Sequence, residues 1–117
     1  MSTKRVIEAY FDALKQRRDW SQALREDMTF VSHVVPQKRV QGRAAFMEST
    51  RRFYSMIADV ELTTLLIDGD RGCALTRYRL QSPTGPSFTT EVAEIFAVAD
   101  DQISSLEIYF DSSPFPK

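Results

Sequence analysis

Three short turn signals divide the second half of the chain, and they constrain its fold more than any other feature. They span residues 68–70, 82–86 and 99–102, and they are rich in the Gly, Pro, Asp and Ser residues that reverse a chain. Between them the sequence changes to a period of two with many β-branched and aromatic residues, which is typical of strands. Strands joined by such short turns pair antiparallel, so we predict a four-stranded meander. Its strands are residues 60–67, 73–81, 87–98 and 103–110.

The first half of the chain predicts three helices and one more long strand. Apolar residues fall on a single stripe at helical spacing over residues 3–18. A short second helix is expected over residues 20–24, and a third follows Gly42 and runs to about residue 57. A strand over residues 28–35 and a polar connection over residues 38–41, which can hold a short strand at Val40, separate the second and third helices.

The predicted order is α-α-β-α-β-β-β-β in a single domain over residues 1–117. Because the last four strands follow one another and the helices are segregated, this is an α+β fold in which a curved antiparallel sheet wraps around about three helices. A sheet that curves around too few helices to fill it leaves a pocket, and pockets bind ligands.

Composition and residue counts exclude several classes of function. Fifteen Lys and Arg against sixteen Asp and Glu give a formal charge of −1, which argues against nucleic-acid binding and polybasic membrane binding. We find no apolar run near the roughly twenty residues of a bilayer span and no secretory leader pattern, so we expect a cytoplasmic protein. Cys73 and His33 are the only residues of their kinds, which excludes disulfides and Cys/His metal clusters. Four dispersed glycines form no phosphate-binding loop, so we expect no cofactor.

Glu94 is the most informative candidate for a functional residue. It shares one face of its predicted strand with large apolar side chains, and that face is expected to cover the pocket. Desolvation raises the pKa of a buried carboxyl. A neutral carboxyl can donate a hydrogen bond to an oxyanion, and one with a pKa near 7 can transfer protons. The alternative is a structural ion pair with Arg77 or Arg79 on the neighbouring strand, since apolar residues occupy both faces.

Two tyrosines on predicted helices are further candidates. Tyr10 lies in the middle of the apolar stripe of the first helix, so its ring belongs to the core. A buried hydroxyl needs a hydrogen-bond partner, and that of Tyr10 either donates into the pocket or bonds to a backbone carbonyl. Tyr54 on the third helix presents the same two alternatives.

Four polar residues on predicted strands complete the candidates. Ser32 and His33 lie on opposite faces near the end of the first long strand. The ordinary pKa of His33 is close to neutrality, but no second histidine or ordered nucleophile supports a catalytic triad. Arg77 and Arg79 share a face of their strand, where they either clamp a carboxylate or phosphate or face solvent or a dimer interface.

Five segments in a fixed order carry a resemblance to a known family. They are residues 6–14, 28–32, 41–46, 68–70 and 101–111. Their order resembles that of the NTF2-like α+β cone proteins, specifically the SnoaL-like and ketosteroid-isomerase-like branch, and the resemblance covers nearly the whole chain. It implies the cone fold and a homodimer, and it specifies fold far better than activity.

In the isomerases of this family, the resemblance implies that a helix tyrosine and a neutral strand acid form an oxyanion hole. Tyr10 matches the tyrosine, and Glu94 matches the acid with one methylene more. The position of the general base falls on Ser32, which cannot serve as that base near neutral pH. The adjacent His33 turns to the other face unless a β-bulge re-aims it. Authentic steroid isomerisation is therefore not expected.

Two other branches of the family imply other chemistries. The limonene epoxide hydrolases place an Asp-Arg-Asp arrangement in the same cone, and Arg77 or Arg79 with Glu94 resembles part of it. The SnoaL polyketide cyclases need an acid whose position here is not unique.

These observations lead to one main hypothesis and one alternative. The main hypothesis is a protein that binds a small, flat, apolar or aromatic ligand bearing oxygen, as an isomerase, cyclase or hydrolase. Tyr10 and Glu94 would stabilise an enolate or oxyanion, while His33 or a water held by Ser32 moves the proton. The alternative is a non-catalytic ligand-binding or association module, and a purely associating domain would have no cavity and an arginine beside Glu94. The other side chains expected to line the pocket are Phe30, Phe53, Tyr54, Arg77, Phe96, Leu106, Ile108 and Phe110.

Overall fold

Two α-helices pack against one six-stranded sheet in a computed structural model that describes residues 2–34 and 36–115. The helices are α1 (Thr3–Lys15) and α2 (Arg43–Met56). The strands are β1 (Leu24–Ser32), β2 (Lys38–Gln41), β3 (Ile57–Asp68), β4 (Arg71–Gln81), β5 (Ser87–Ala99) and β6 (Gln102–Phe110). Val35, the expected end of the first long strand, lies outside the described residues, as do Met1, Pro116 and Lys117.

The sheet has the strand order β2-β1-β6-β5-β4-β3. Strands β3 to β6 pair antiparallel in sequence order, which confirms the predicted meander. Strand β1 instead pairs parallel with β6, so the sheet is mixed and the expectation of a wholly antiparallel sheet was wrong. No short turn links these two strands, and the rule that hairpins are antiparallel therefore did not apply to them.

The second predicted helix is only a single turn of 3₁₀ helix at Ser21–Ala23. Asp19 holds this turn, because its Oδ1 accepts hydrogen bonds from the backbone N–H of Ser21 at 3.0 Å and the Ser21 hydroxyl at 2.6 Å. Leu24 then adopts an extended conformation and begins β1 with its side chain fully buried. Because Leu24 belongs to the sheet, no further helical turn fits, and the described residues form two α-helices rather than three.

Strand β1 therefore begins four residues earlier than the predicted start at Met28. Its pairing with β6 shifts register between Leu24 and Thr29, the mark of a β-bulge. The bulge breaks the strict alternation of buried and exposed residues. A period of two in the sequence therefore does not mark where this strand begins. Strand β3 also starts early, at Ile57, directly after α2.

Helix α1 presents its apolar stripe to the inner face of the sheet. The side chain of Ser2 caps the helix by accepting a hydrogen bond from the backbone N–H of Arg5 at 3.2 Å. The helix ends at Lys15, short of the predicted residue 18, because Arg17 adopts a positive φ of 58°. Close approach to the sheet depends on Gly72, where an added Cβ would lie 2.7 Å from Cδ1 of Ile7. Neither described helix is long and apolar enough to cross a membrane.

Candidate functional site

A cavity of about 180 Å³ lies between α2 and the inner face of the sheet. Glu94, only 3% exposed, marks its deep end, and the exposed Lys38 stands at its rim. An apolar cavity of about 150 Å³ in another protein holds benzene, so this volume suits a molecule the size of one substituted ring. The lining residues are Phe30, Ser32, Lys38, Phe46, Ser49, Thr50, Phe53, Tyr54, Tyr78, Val92, Glu94, Leu106, Ile108 and Phe110.

Two hydroxyl groups of the neighbouring strand hold the Glu94 carboxylate. Its Oε2 accepts hydrogen bonds from the Tyr78 hydroxyl at 2.7 Å and from the Thr76 hydroxyl at 2.8 Å. The residue directly opposite Glu94 on β4 is Ala74, whose small side chain leaves room for the carboxylate to lean towards these hydroxyls. No arginine among the described residues pairs with Glu94, which removes the structural ion pair as an explanation of its burial.

The second carboxylate oxygen of Glu94 is available to a ligand. No described group donates a hydrogen bond to Oε1. The only described side-chain oxygen or nitrogen that is both fully buried and unpartnered is Oγ1 of Thr90, so Oε1 is not completely buried, and Glu94 lines the cavity. The proton of Tyr78 is directed at Oε2, and in the neutral acid a proton on Oε1 would lie on the side of the cavity.

Burial raises the pKa of Glu94 from 4.5 to about 7, and the hydrogen bonds from Tyr78 and Thr76 oppose this rise only in part. Near neutral pH the neutral and ionised forms are therefore present in comparable amounts. A group in that state can both donate a hydrogen bond and transfer a proton.

The hydroxyls of Tyr10 and Tyr54 lie 2.5 Å apart. Tyr10 is fully buried and is not among the cavity-lining residues, whereas Tyr54 lines the cavity. The described part of the chain gives the Tyr10 hydroxyl no other partner. A buried donor without an acceptor is costly, and of the two tyrosines only Tyr54 borders the cavity. We therefore infer that Tyr10 donates to Tyr54, which leaves the proton of Tyr54 free for a ligand. Burial raises the pKa of both tyrosines, which keeps them neutral hydrogen-bond donors.

Aromatic contacts fix the ring of Tyr54 and support the wall of the cavity. Trp20 stacks on Tyr54 with the ring centres 4.2 Å apart. Beyond β6, Phe115 packs against Phe53 and Phe110, both of which line the cavity. The C-terminal segment therefore supports the cavity wall from outside.

The family model for the SnoaL-like domain matches residues 7–106 of the chain. The chain belongs to the SnoaL-like family. No curated protein matches it significantly.

Solved structures of low sequence identity share the fold of this SnoaL-like domain. An NTF2-like protein from Burkholderia thailandensis has a TM-score of 0.82 at 16% identity, over 97% of this chain and 94% of its own. An LEH-like epoxide hydrolase from M. tuberculosis has a TM-score of 0.78 at 22% identity, over 96% and 84%. A Catenulispora acidiphila protein with a ketosteroid isomerase-like fold, solved in complex with trimethylamine, has a TM-score of 0.76 at 20% identity, over 93% and 87%. The fold is therefore the α+β NTF2-like fold, with a mixed six-stranded sheet.

Ser32 lines the cavity of the SnoaL-like domain, but the neighbouring His33 does not. The His33 Nε2 lies 2.8 Å from Oε1 of Glu107, and its ring stacks on Tyr109 at 4.3 Å. The bulge in β1 precedes Thr29, so alternation is intact at Ser32 and turns His33 to the outer face. The structure therefore does not bring His33 to the site as the group that moves a proton.

Two other expected site residues also lie away from the cavity. Arg77 is exposed on the outer face, where it donates a hydrogen bond to Glu91 at 3.0 Å and lies 4.0 Å from Glu61. It faces outward because the odd-numbered residues of β4 alternate away from the core. Phe96 is fully buried one layer deeper and packs edge-on against Tyr10, with ring centres 5.8 Å apart.

The remaining expected residues, Phe30, Phe53, Tyr54, Leu106, Ile108 and Phe110, all lie on the cavity wall. Sequence reasoning missed Tyr78 and Thr76, which bind Glu94, and Lys38 at the rim. The sequence contained a signal for Tyr78, since a period of two places Thr76 and Tyr78 on one face of β4 and Arg77 on the other face. Among the described residues, no group of three or more His, Cys, Asp and Glu side chains could hold a metal ion.

Proposed function

We propose that this SnoaL-like domain binds a small, mostly apolar molecule with an oxygen function and stabilises negative charge on that oxygen. Glu94 in its neutral form and Tyr54 would each donate a hydrogen bond to it. The observation that carries this proposal is a buried carboxyl with a pKa of about 7 whose Oε1 is accessible in a mostly apolar cavity.

The low polarity of the site supports charge stabilisation. Hydrogen bonds to a developing oxyanion are stronger where water is excluded and the donors are already in place. Tyr78 and Thr76 hold the Glu94 carboxylate from behind, while Tyr10 and Trp20 hold Tyr54. Both donors are therefore fixed before a ligand arrives.

A carboxyl with this pKa can also take up or release a proton on the ligand, which suits an isomerase, cyclase or hydrolase that passes through an enolate or oxyanion. The second candidate function is ligand binding without turnover. One observation favours it: Glu94 is the only acid among the described residues that line the cavity. The family resemblance assigns the position of the general base to Ser32, which is not an acid.

Binding of phenols tests the proposal, because a phenolate imitates an enolate in charge and shape. At pH 6, where Glu94 is mostly neutral, we expect the dissociation constant measured by calorimetry to fall as the acidity of the phenol rises. Glu94→Ala should weaken binding at least tenfold, whereas Arg77→Ala on the outer face should leave it unchanged. Equal affinity for all phenols, or full affinity in a folded Glu94→Ala variant, contradicts the proposal.

Turnover is tested separately with Glu94→Gln. The glutamine side chain keeps an acceptor for Tyr78 and Thr76 and a donor for the cavity, but it cannot transfer a proton. Small enones and epoxides would be incubated with both proteins and the products followed by chromatography. Product formation by the wild type alone favours an enzyme, and binding by both without product favours the non-catalytic function.

We also propose the homodimer that the family resemblance implies. The outer face of the sheet exposes large apolar side chains, including Leu66, Leu75 and Tyr109. Analytical ultracentrifugation of the wild type and of Leu75→Glu tests this, since a charge in the interface should shift a dimer to monomers.

A further inference from the structure

A lysine and a serine stand together at the rim of the cavity. Ser32 on β1 and Lys38 on β2 are directly opposite one another in the antiparallel pairing, and both line the cavity. Directly opposite residues project to the same side of a sheet with their Cβ atoms about 5 Å apart. The two side chains therefore offer one ammonium and one hydroxyl to the same small volume.

Neither of these polar groups has a partner among the described residues. Lys38 makes no ion pair or hydrogen bond with a described residue, and the Ser32 hydroxyl has no described partner. Several other cations of the described chain are paired, for example Lys15 with Asp59 at 3.0 Å and Arg77 with Glu91 at 3.0 Å. The rim therefore holds an ammonium and a hydroxyl donor that are both free to bind a ligand.

The charges of the lining residues indicate what a ligand should carry there. Lys38 and Glu94 are the only ionisable acid or base side chains on the described wall apart from the two tyrosines. When Glu94 is neutral and donates to the ligand, Lys38 is the only formal charge of the lining. A ligand with one negative charge at its outer end balances it, and a carboxylate can accept from both Lys38 and Ser32.

We propose that the ligand is a carboxylic acid about the size of one ring, bound as its monoanion. Its carboxylate meets Lys38 and Ser32 at the rim, and its second oxygen function meets Glu94 at the deep end. This inference rests on the proposed function, and Lys38 is its specificity-determining residue.

A pair of probes that differ only in charge tests the proposal. The acid is 4-hydroxyphenylacetate, and its neutral match of nearly equal shape is 4-hydroxyphenylacetamide. Dissociation constants of both would be measured by calorimetry at pH 6 in low salt. An exposed charge pair is worth a modest gain in affinity, so we expect the wild type to prefer the acid about two- to fivefold.

One lysine variant and one arginine variant show which side chain causes the preference for the acid. Lys38→Met keeps the apolar length of the side chain and should abolish the preference for the acid without changing affinity for the amide. Arg39→Met is the matched control, because Arg39 is the next residue on β2 and alternates to the other face. It removes the same charge and should preserve the preference, which should also shrink at high salt.

The outcomes separate this inference from the function on which it rests. Equal affinity of the wild type for acid and amide, or an unchanged preference in Lys38→Met, overturns the carboxylate proposal. If the amide and simple phenols still bind and depend on Glu94, the proposed function survives that result. If no probe and no phenol binds, both are overturned together.

Discussion

The hydroxyl of Tyr78 donates a hydrogen bond of 2.7 Å to Oε2 of Glu94 across two neighbouring strands. Tyr78 is directly opposite Thr90, four residues along β5 from Glu94, so its ring reaches diagonally past Thr76 to the carboxylate. Tyr78 and Thr76 thus occupy one oxygen of the acid and leave the other to the cavity. The chemistry that we propose for the site depends on this difference between the two oxygens.

The pH dependence of stability should report the burial of Glu94. Its pKa is about 7 in the folded protein, whereas the ordinary pKa of a glutamate carboxyl, which applies to the unfolded chain, is 4.5. Folding therefore favours the neutral form. The free energy of unfolding should therefore fall as pH rises from about 4.5 to about 7, by up to roughly 3 kcal/mol, and stay low above that. Urea unfolding between pH 4.5 and 8 measures it.

Glu94→Gln is the matched variant, because it cannot ionise, and its profile over this range should be nearly flat. Aspartates act in the opposite sense at lower pH. The hydrogen bond from Lys15 lowers the pKa of Asp59, for example, so its contribution is lost only in acid, below about pH 4. A wild-type profile with no decline between pH 4.5 and 7 would show that Glu94 is not desolvated.

The two linked tyrosines should respond differently to loss of their hydroxyls. Tyr54→Phe removes the donor to the ligand and leaves the buried Tyr10 hydroxyl without its partner. We expect about five- to tenfold weaker phenol binding and a loss of about 1–3 kcal/mol of stability. Tyr10→Phe leaves Tyr54 free to donate, so phenol affinity should fall no more than about threefold. A larger loss of affinity in Tyr10→Phe than in Tyr54→Phe would place Tyr10 in the role that the family resemblance implied.

Substitution of two buried threonines by valine should change the free energy of unfolding in opposite directions. Oγ1 of Thr90 is buried without a described partner, whereas the Thr76 hydroxyl lies 2.8 Å from Glu94 and 3.1 Å from the carbonyl of Val92. Thr90→Val removes an unpaired polar group and should raise the free energy of unfolding by about 1 kcal/mol. Thr76→Val should lower it by at least as much. Urea denaturation at pH 7 compares them, and destabilisation by both would mean that the Thr90 hydroxyl has a partner in solution.

Removal of the Phe115 ring should change the cavity although Phe115 itself is not one of the lining residues. The ring packs on Phe53, Phe88 and Phe110, and aromatic pairs contribute about 0.5–1.5 kcal/mol each. Phe115→Ala should therefore lower stability by about 1–3 kcal/mol and let the wall relax outward. Calorimetry should show weaker binding of phenol and a smaller loss for the larger naphthol. Equal losses for both ligands would argue against a supporting role.

Local sequence signals were sufficient for the meander and for the inward direction of Glu94. The turns are short and chemically distinct, so each aligns the strands that it joins, although the register shifts again within the β3–β4 and β5–β6 pairings. Period two then determines the face of every residue on β4 and β5. The same rule puts Arg77 and Tyr78 on opposite faces of β4, but it does not by itself show that the Tyr78 hydroxyl reaches Glu94.

Other features depended on long-range contacts that no local pattern records. The parallel partnership of β1 with β6 joins segments more than seventy residues apart, and the bulge after Leu24 conceals where β1 begins. The 2.5 Å contact between the hydroxyls of Tyr10 and Tyr54 joins two helices, and no local pattern in the sequence records it. Which oxygen of Glu94 is left without a partner likewise depends on the positions of the Tyr78 and Thr76 hydroxyls on the neighbouring strand.

The parallel pairing of β1 with β6 also has a consequence for how the protein folds. Phe30 and Ser32 face the cavity from β1, while Leu106 and Ile108 face it from β6, the last strand of the sheet. Contacts between such distant segments require a long loop to close, and they form slowly. A nascent chain can assemble the hairpins β3–β4 and β4–β5 as they emerge from the ribosome. The cavity wall lacks Leu106 and Ile108 until β6 pairs with β1, so the site is completed only after β6 has been synthesised.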